Sequence, residues 1–453
     1  MKAKLFEAMS QLERHLPMII WLFIYINTVN IREVNLLNKG DFNNLKNTYV
    51  ILFLISFIVC LFLPVSWGDD TIFQEKSAGI DLLTFIDGSA RPFTDSLTFI
   101  FSKHKILWRI FNPVIMISIL YGVSSLLPFK INKKETIVLF ICLMFPTMVI
   151  VDAGFIGTTV NYLWAITFGL ISLIPLKKTI EECRVKWYIY FLTYPLILYS
   201  TNMQQMAVVL TLVFFFANIY LLIKKRFNLL ALIQFLIAAI GLEWSFCLNM
   251  FGDNNRMIRE TGRYFPGFGE LNLIEKIELG FSSTFYCLTM NPHFAAVGFL
   301  AFTLFISVII FKKKETLIKR VLSVIPPIFS VVMCILKYVP NQSFYSMISG
   351  GMYYYRMEKA VYSFKPVTDI IFILLILCVL YSLYNVFKSK VNFYRSFIIL
   401  CFGLGTRIMM GFSPTVWASG HRTFSIMFIT FIIVGFLVYN DYKDNIIETN
   451  KNV

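Results

Sequence analysis

The sequence has little charge for its length: 15% of 453 residues are Asp, Glu, Lys or Arg, where a soluble globular chain carries about a quarter. It has no Cys-x-x-Cys pair and no dense cysteine set. Its eight cysteines (60, 142, 183, 247, 287, 334, 378 and 401) are scattered, mostly inside apolar runs, which argues against a disulfide frame or a cysteine metal cluster. No HExxH, GxSxG, phosphate-binding Walker loop or glycine-rich dinucleotide turn occurs, so the common soluble hydrolase and nucleotide-binding chemistries have no foothold. Histidine is scarce, with four in the chain. No small-x-small cleavage site follows the first apolar stretch, so no cleavable signal is expected.

What the chain has is hydrophobicity in blocks. Apolar residues make up 57% of it and the mean hydropathy is +0.70. The blocks approach the ~20 residues that a spanning helix needs. We read spans at 49–66, 107–127, 135–151, 160–176, 187–200, 206–223, 228–250, 294–311, 321–338, 368–387, 396–412 and 424–440. The expected fold class is therefore an all-α polytopic membrane protein of about twelve helices forming a single transmembrane domain over 1–453. Residues 17–31 are read as an interfacial helix or an extra short span. The formal charge of +15 sits in short runs between spans, such as Lys130/Lys133/Lys134, Lys224/Lys225/Arg226 and Lys312/Lys313/Lys314. These runs recur at every second connection, which is the pattern of cytoplasmic anchors and not of a nucleic-acid surface. The assignment puts both termini in the cytoplasm. It puts 67–105, 152–159, 201–205, 251–293, 339–367 and 413–423 on the outer face, with short helices expected at 71–85 and 92–102.

Polar residues at outer span ends are costly unless they have a use. Asp69 and Asp70 follow the first span; one could take a proton from a hydroxyl while the other orients it, and the competing reading is a solvated helix end. Arg91 is presented by the Gly88-Ser89 turn before Pro92, suited to a phosphate or to pairing with Asp87 or Asp95. Asn161 and Tyr162 open a span with groups that suit sugar hydroxyls, although an interfacial aromatic belt also explains Tyr162. Asp253, Asn254, Arg256 and Arg259 lie in a large outer loop, where Arg256, Arg259 and Arg263 would share a helical face that suits an anion. Arg356 lies in the next large outer loop, and Arg422 precedes the last span. Arg407 is embedded in apolar sequence and needs a partner, an aqueous cavity or a route to the interface. His293, after Pro292 at a span start, reads as structural.

Together, Asp69-Asp70, Gly88-Ser89-Ala90-Arg91, Asn161-Tyr162-Leu163-Trp164, Gly252-Asp253-Asn254-Asn255-Arg256 and Arg422-Thr423-Phe424 resemble a family of bacterial polytopic envelope membrane proteins of unsettled function. That family is related to the C-class (GT-C) glycosyltransferases. The resemblance covers about residues 60–440; Phe251-Gly252-Asp253 departs from the Pro-Gly-Asn that usually opens the family's arginine loop. It implies a GT-C-like fold and transfer of a sugar from a polyprenyl-phosphate donor to a glycan or glycolipid acceptor on the outer face of the bacterial cell membrane. Asp69 or Asp70 would then act as base, Arg256, Arg259, Arg422 and Arg91 would contact phosphate, and Asn161 and Tyr162 would contact sugar. Membrane lipid is the surrounding partner and no cofactor is expected; adjacent aspartates could hold a divalent cation, but a hard oxygen site needs more ligands than are evident. Two other classes remain open. A repeat-unit polymerase or ligase would use the two large arginine-bearing loops, with Gly267 at an Arg-x10-Gly spacing from Arg256. A flippase or transporter would favour charged or broken spans, of which Glu243 and Arg407 are the two signs.

Overall fold

The computed structural model describes residues 40–87, 89, 91–247, 254–339, 343–350, 360 and 362–451. Residues 17–31, Asp253 and Arg356 lie outside them, and the side chains of Asn254 and Arg256 are likewise not described. Among the described residues every regular element is helical. Among the described residues, ten helices are long and apolar enough to cross a membrane. The segments expected to span at 135–151 and 187–200 are also helical, but differ from those ten. Lys133–Ile150 carries Lys133, Lys134 and Glu135 in its first turn, and Trp187–Ser200 has 14 residues. At about 1.5 Å per residue, the second falls short of a ~30 Å hydrocarbon layer. The chain divides into two compact units, Leu36–Glu260 and Thr261–Val453.

In the first unit, α1 (Gly40–Phe62) is followed by three short helices, α2 (Asp69–Gly79), α3 (Leu82–Ile86) and α4 (Pro92–Lys103). Short helices at 71–85 and 92–102 were expected from the sequence, and local chemistry starts them. Asp81 accepts the Thr84 N–H at 2.8 Å to cap α3, and Pro92 opens α4 where its missing N–H costs nothing. Along α4, Thr94, Thr98, Phe99, Phe101 and Ser102 are buried, with Phe99 against Phe85 at 5.3 Å and Phe101 against Trp164 at 5.2 Å. The longer helices are α5 (Lys105–Leu126), α6 (Lys133–Ile150), α7 (Ile156–Ile180), α8 (Trp187–Ser200), α9 (Gln204–Ile223) and α10 (Leu229–Cys247), and α11 (Asn254–Tyr264) follows. Asn132 and Glu135 close a reciprocal cap on α6. Of this unit's candidate spans α7 is the most enclosed and α1 the least (67% and 22% of the span buried), so α7 forms the centre against which the first connection is pinned.

In the second unit, α12 (Leu273–Thr289) is opened by the same kind of reciprocal cap, Asn272 with Glu275. It is followed by α13 (Phe294–Lys312), α14 (Leu317–Leu336), α15 (Ser343–Ser349), α16 (Pro366–Val386), α17 (Lys390–Ile408) and α18 (Ser425–Lys451). Helix α12 touches the ends of several long helices remote from their lysine-rich connections. Its Leu288 and Thr289 carbonyls accept from Ser330 and Cys334 in the last turns of α14, and Phe285 stacks on Phe372 near the start of α16 at 5.5 Å. At Gly280 the contact with α17 is so close that a Cβ would run into the Ile408 carbonyl. Lysines at the opposite helix ends do structural work beyond topology: Lys313 donates to the Val386 carbonyl at the end of α16, where the helix leaves its own carbonyls unpaired.

Candidate functional site

Two polar clusters coincide with the residues singled out in the sequence, one in each unit. In the first unit, the chain leaves α1 and enters α2 through Gly68, at φ +59°, where a Cβ would collide with the Ala153 carbonyl. Only glycine both adopts that backbone and allows that approach. The approach brings Asp70 to the start of α7. One carboxylate oxygen accepts the N–H of Phe155 at 2.6 Å and of Ile156 at 3.0 Å, and the other accepts the N–H of Gly157 at 3.0 Å. These are donors that a helix start leaves unsatisfied and that its dipole makes attractive to an anion. Asp70 is 0% exposed. Burial pushes its carboxyl above the ordinary value, while the three amides pull it back and Asp69 adds a small upward push. With no solvent-facing surface and both oxygens occupied, Asp70 anchors the first turn of α2 to the start of α7. Asp69, its neighbour on the same first turn, keeps partial exposure.

The segment gripped by Asp70 continues into a widened π-helical turn, Thr159–Trp164. Such turns hold a side chain in a register that a plain α-helix would not give, and they concentrate at functional positions. Trp108 Nε1 donates to Thr159 at 2.8 Å, and Trp164 Nε1 donates to Asn112 at 3.1 Å. Asn161 donates its amide to the Gly157 carbonyl at 2.7 Å, and its Oδ1 is buried with no hydrogen-bond partner. Tyr162 lies beside it, partly exposed. The first connection is pinned a second time where Phe93 N–H donates to Asn202 at 3.1 Å, at the start of α4. Just before it, the Arg91 N–H donates to Ser89 Oγ at 2.9 Å and Ser89 donates to Asp95 at 2.5 Å. Asp95 thus takes the serine hydroxyl, and the Arg91 Nε is buried without a hydrogen-bond partner. Asp70 is therefore brought to residues 155–157, the turn that leads into Asn161 and Tyr162, with Asp69 next to it in sequence, and Arg91 lies in the same folded connection.

In the second unit, Arg407 is 1% exposed. Its guanidinium lies over the Phe424 ring at 4.6 Å and donates to the Val416 carbonyl at 3.3 Å. Arg422 and His421 occupy the short turn leading into α18. The His421 ring is 4.8 Å from that of His293. Lys337, at the end of α14, donates to Asn291 at 2.8 Å, and Tyr345 donates to the Tyr286 hydroxyl at 3.2 Å. Between these groups the Cys287 thiol is pushed up to about 11 by burial, although Arg407 and Lys337 pull it down. Arg407 and Arg422 thus share a cation-rich neighbourhood with His293, His421 and Lys337. Lys337 and His293 were not singled out as functional, because each sits singly at a helix end. Nothing in the sequence ties either of them to the two arginines, which lie in other segments of the chain.

Of the remaining residues, Arg259 is an exposed side chain on α11, whose helical state fits the spacing of Arg256, Arg259 and Arg263. Glu243 is exposed on α10. Among the described residues no group of three or more His, Cys, Asp or Glu side chains is placed to hold a metal ion. No family model, curated protein or solved structure matches the chain.

Proposed function

We propose that the chain is a GT-C-like glycosyltransferase of the bacterial cell membrane, with about twelve spans and both termini in the cytoplasm. It moves a sugar from a polyprenyl-phosphate donor to an envelope glycan or lipid acceptor on the outer face. The observation that carries the reading is the Asp70 anchor. It fixes the first turn of α2, which also carries Asp69, to the amides of residues 155–157, the turn that leads into Asn161 and Tyr162. In the proposed reaction Asp69 accepts the proton of the acceptor hydroxyl. The hydroxyl oxygen bonds to the anomeric carbon as the bond from that carbon to the phosphate oxygen breaks, through a transition state with oxocarbenium character. The lipid phosphate departs with the bonding electron pair, and the Arg91 guanidinium stabilises its charge. Asn161, through its unoccupied Oδ1, accepts from a sugar hydroxyl. Arg407 and Arg422 are proposed as anion contacts within their own unit.

The test is envelope glycan analysis of a deletion strain complemented with Asp69→Asn or Arg91→Ala. Asp69→Asn is expected to lose at least ~100-fold in transfer at normal protein level, the lower end of what a positioned base contributes. Wild-type glycan from that variant would sink the assignment. Loss of one side-chain sugar in the deletion strain marks a transferase. Accumulated single repeat units would instead mark a polymerase or ligase, and donor retained in the inner leaflet would mark a flippase.

A further inference from the structure

A second carboxylate pair lies in the Thr261–Val453 unit, formed by residues too far apart in sequence to suggest each other. Glu278 belongs to the N-terminal half of α12 and Asp369 to the first turn of α16. Both oxygens of Glu278 and Oδ1 of Asp369 are closed off from solvent, and none receives a hydrogen bond of good geometry, although the Tyr362 and Ser282 hydroxyls lie close to Glu278. The two carboxyl groups are nonetheless within each other's hydrogen-bonding neighbourhood. Buried acceptors rarely go without donors. Two ionised carboxylates offer each other only lone pairs, whereas one proton between them supplies the missing donor and removes the repulsion of like charges.

Among the described residues the surroundings offer that pair the Tyr362 and Ser282 hydroxyls, both on the Glu278 side. Lys365, on the approach to α16, turns its ammonium to the Ser363 hydroxyl. On α12 itself, Lys276 lies over the Phe268 ring at 5.0 Å, and Glu275 is occupied in the cap with Asn272. Tyr362 and Ser282 face Glu278 without closing a hydrogen bond of good geometry to it. Burial is the largest influence on the Glu278 carboxyl and raises it; the neighbouring hydroxyls, Asp369 and the Lys365 charge pull it back without reversing the direction.

We infer that Glu278 and Asp369 share a single proton and form a pH-sensitive latch that fastens α12 to the first turn of α16. At its other end α12 carries Cys287, beside Arg407, and leads into Asn291, which holds Lys337. Opening the latch therefore loosens the helix on which that cation-rich neighbourhood is built. The sign follows from the raised carboxyl. The folded chain holds a proton that an unfolded chain releases above the ordinary glutamate value of about 4.3. The latch's contribution is full below that value and is lost as pH rises through the raised folded value. The latch stands independently of the transferase reading.

The test is thermal unfolding of the purified full chain in detergent from pH 5 to 9, for wild type, Glu278→Gln and Asp369→Asn. Either amide supplies a permanent donor. Each variant is expected to raise Tm at pH 8 by about 2–4 °C and to flatten the pH profile, the three curves converging near pH 5. Infrared difference spectra of the wild type between pH 5 and 9 should show a protonated carboxyl band that is absent from Glu278→Gln. If a variant fails to accumulate, the other one and the wild-type spectrum decide. Parallel pH profiles for all three proteins, or no titrating carboxyl band in the wild type, would overturn the latch.

Discussion

Replacing Asp70 by Asn separates an anchor from a base, because the change keeps shape and removes charge. The carboxylate receives three backbone N–H groups, two on one oxygen and one on the other, in a site with no exposure. An amide can present its single oxygen to Phe155 and Ile156, which turns its NH2 against the Gly157 N–H, or it can serve Gly157 and lose the other two. The better choice still forfeits one hydrogen bond to a charged group, about 1.5–3 kcal/mol. It also removes a negative charge from a helix N-terminus, up to about 2 kcal/mol in a buried setting. A loss of roughly 2–4 kcal/mol follows, or a fall in Tm on the order of 5–15 °C for a domain of this size. Asp70→Ala should be worse, since three buried donors are stranded at about 1–3 kcal/mol each. Asp69→Asn, by contrast, should stay within about 0.5 kcal/mol of wild type. The assay is thermal unfolding in detergent, followed by tryptophan fluorescence. An Asp70→Asn protein with unchanged Tm and abolished glycan transfer would refute the reasoning, since it would make Asp70 a reacting group.

The remaining predictions concern the second unit. Gly280→Ala places a methyl against the Ile408 backbone carbonyl, so a loss of about 3 kcal/mol is expected, at the upper end for overpacking. Gly405→Ala, which meets nothing within 4 Å, is its control and should gain about 0.5–1 kcal/mol; equal Tm values for the two would show that the α12–α17 contact is looser than described. Arg407→Lys keeps the charge but loses the planar group over Phe424. It should lower stability by about 2 kcal/mol, and an unchanged unfolding curve would mean that the stacking contributes nothing.

Several features could be read locally because their causes are local. Ten of the twelve expected spans appear as helices of sufficient length and apolarity, since spanning depends on a run of residues and not on its neighbours. One of the other two shows the limit of that reading. Hydropathy alone does not register that Lys133, Lys134 and Glu135 fall within one helix's first turn, whereas the span expected at 187–200 has the same bounds in the structure and is short for a bilayer in both. Caps were equally local: Asp81 and Pro92 start α3 and α4 from their own sequence.

The division of labour between Asp69 and Asp70 was not local. Consecutive residues on a helix point about 100° apart, so one enters the protein and the other does not. Which one enters depends on where the 153–157 turn lies, more than eighty residues away, and on Gly68 allowing that turn to approach. The meeting of Glu278 with Asp369, and of Arg407 with Phe424, His421 and His293 nearby, likewise comes from helices crossing. The sequence by itself determined that the chain is helical and apolar and where its polar residues interrupt the spans, because hydropathy and capping act over one or two turns. Only the tertiary structure decided which of those residues are consumed in holding the fold and which remain exposed, because burial and hydrogen-bond satisfaction depend on partners distant in the chain.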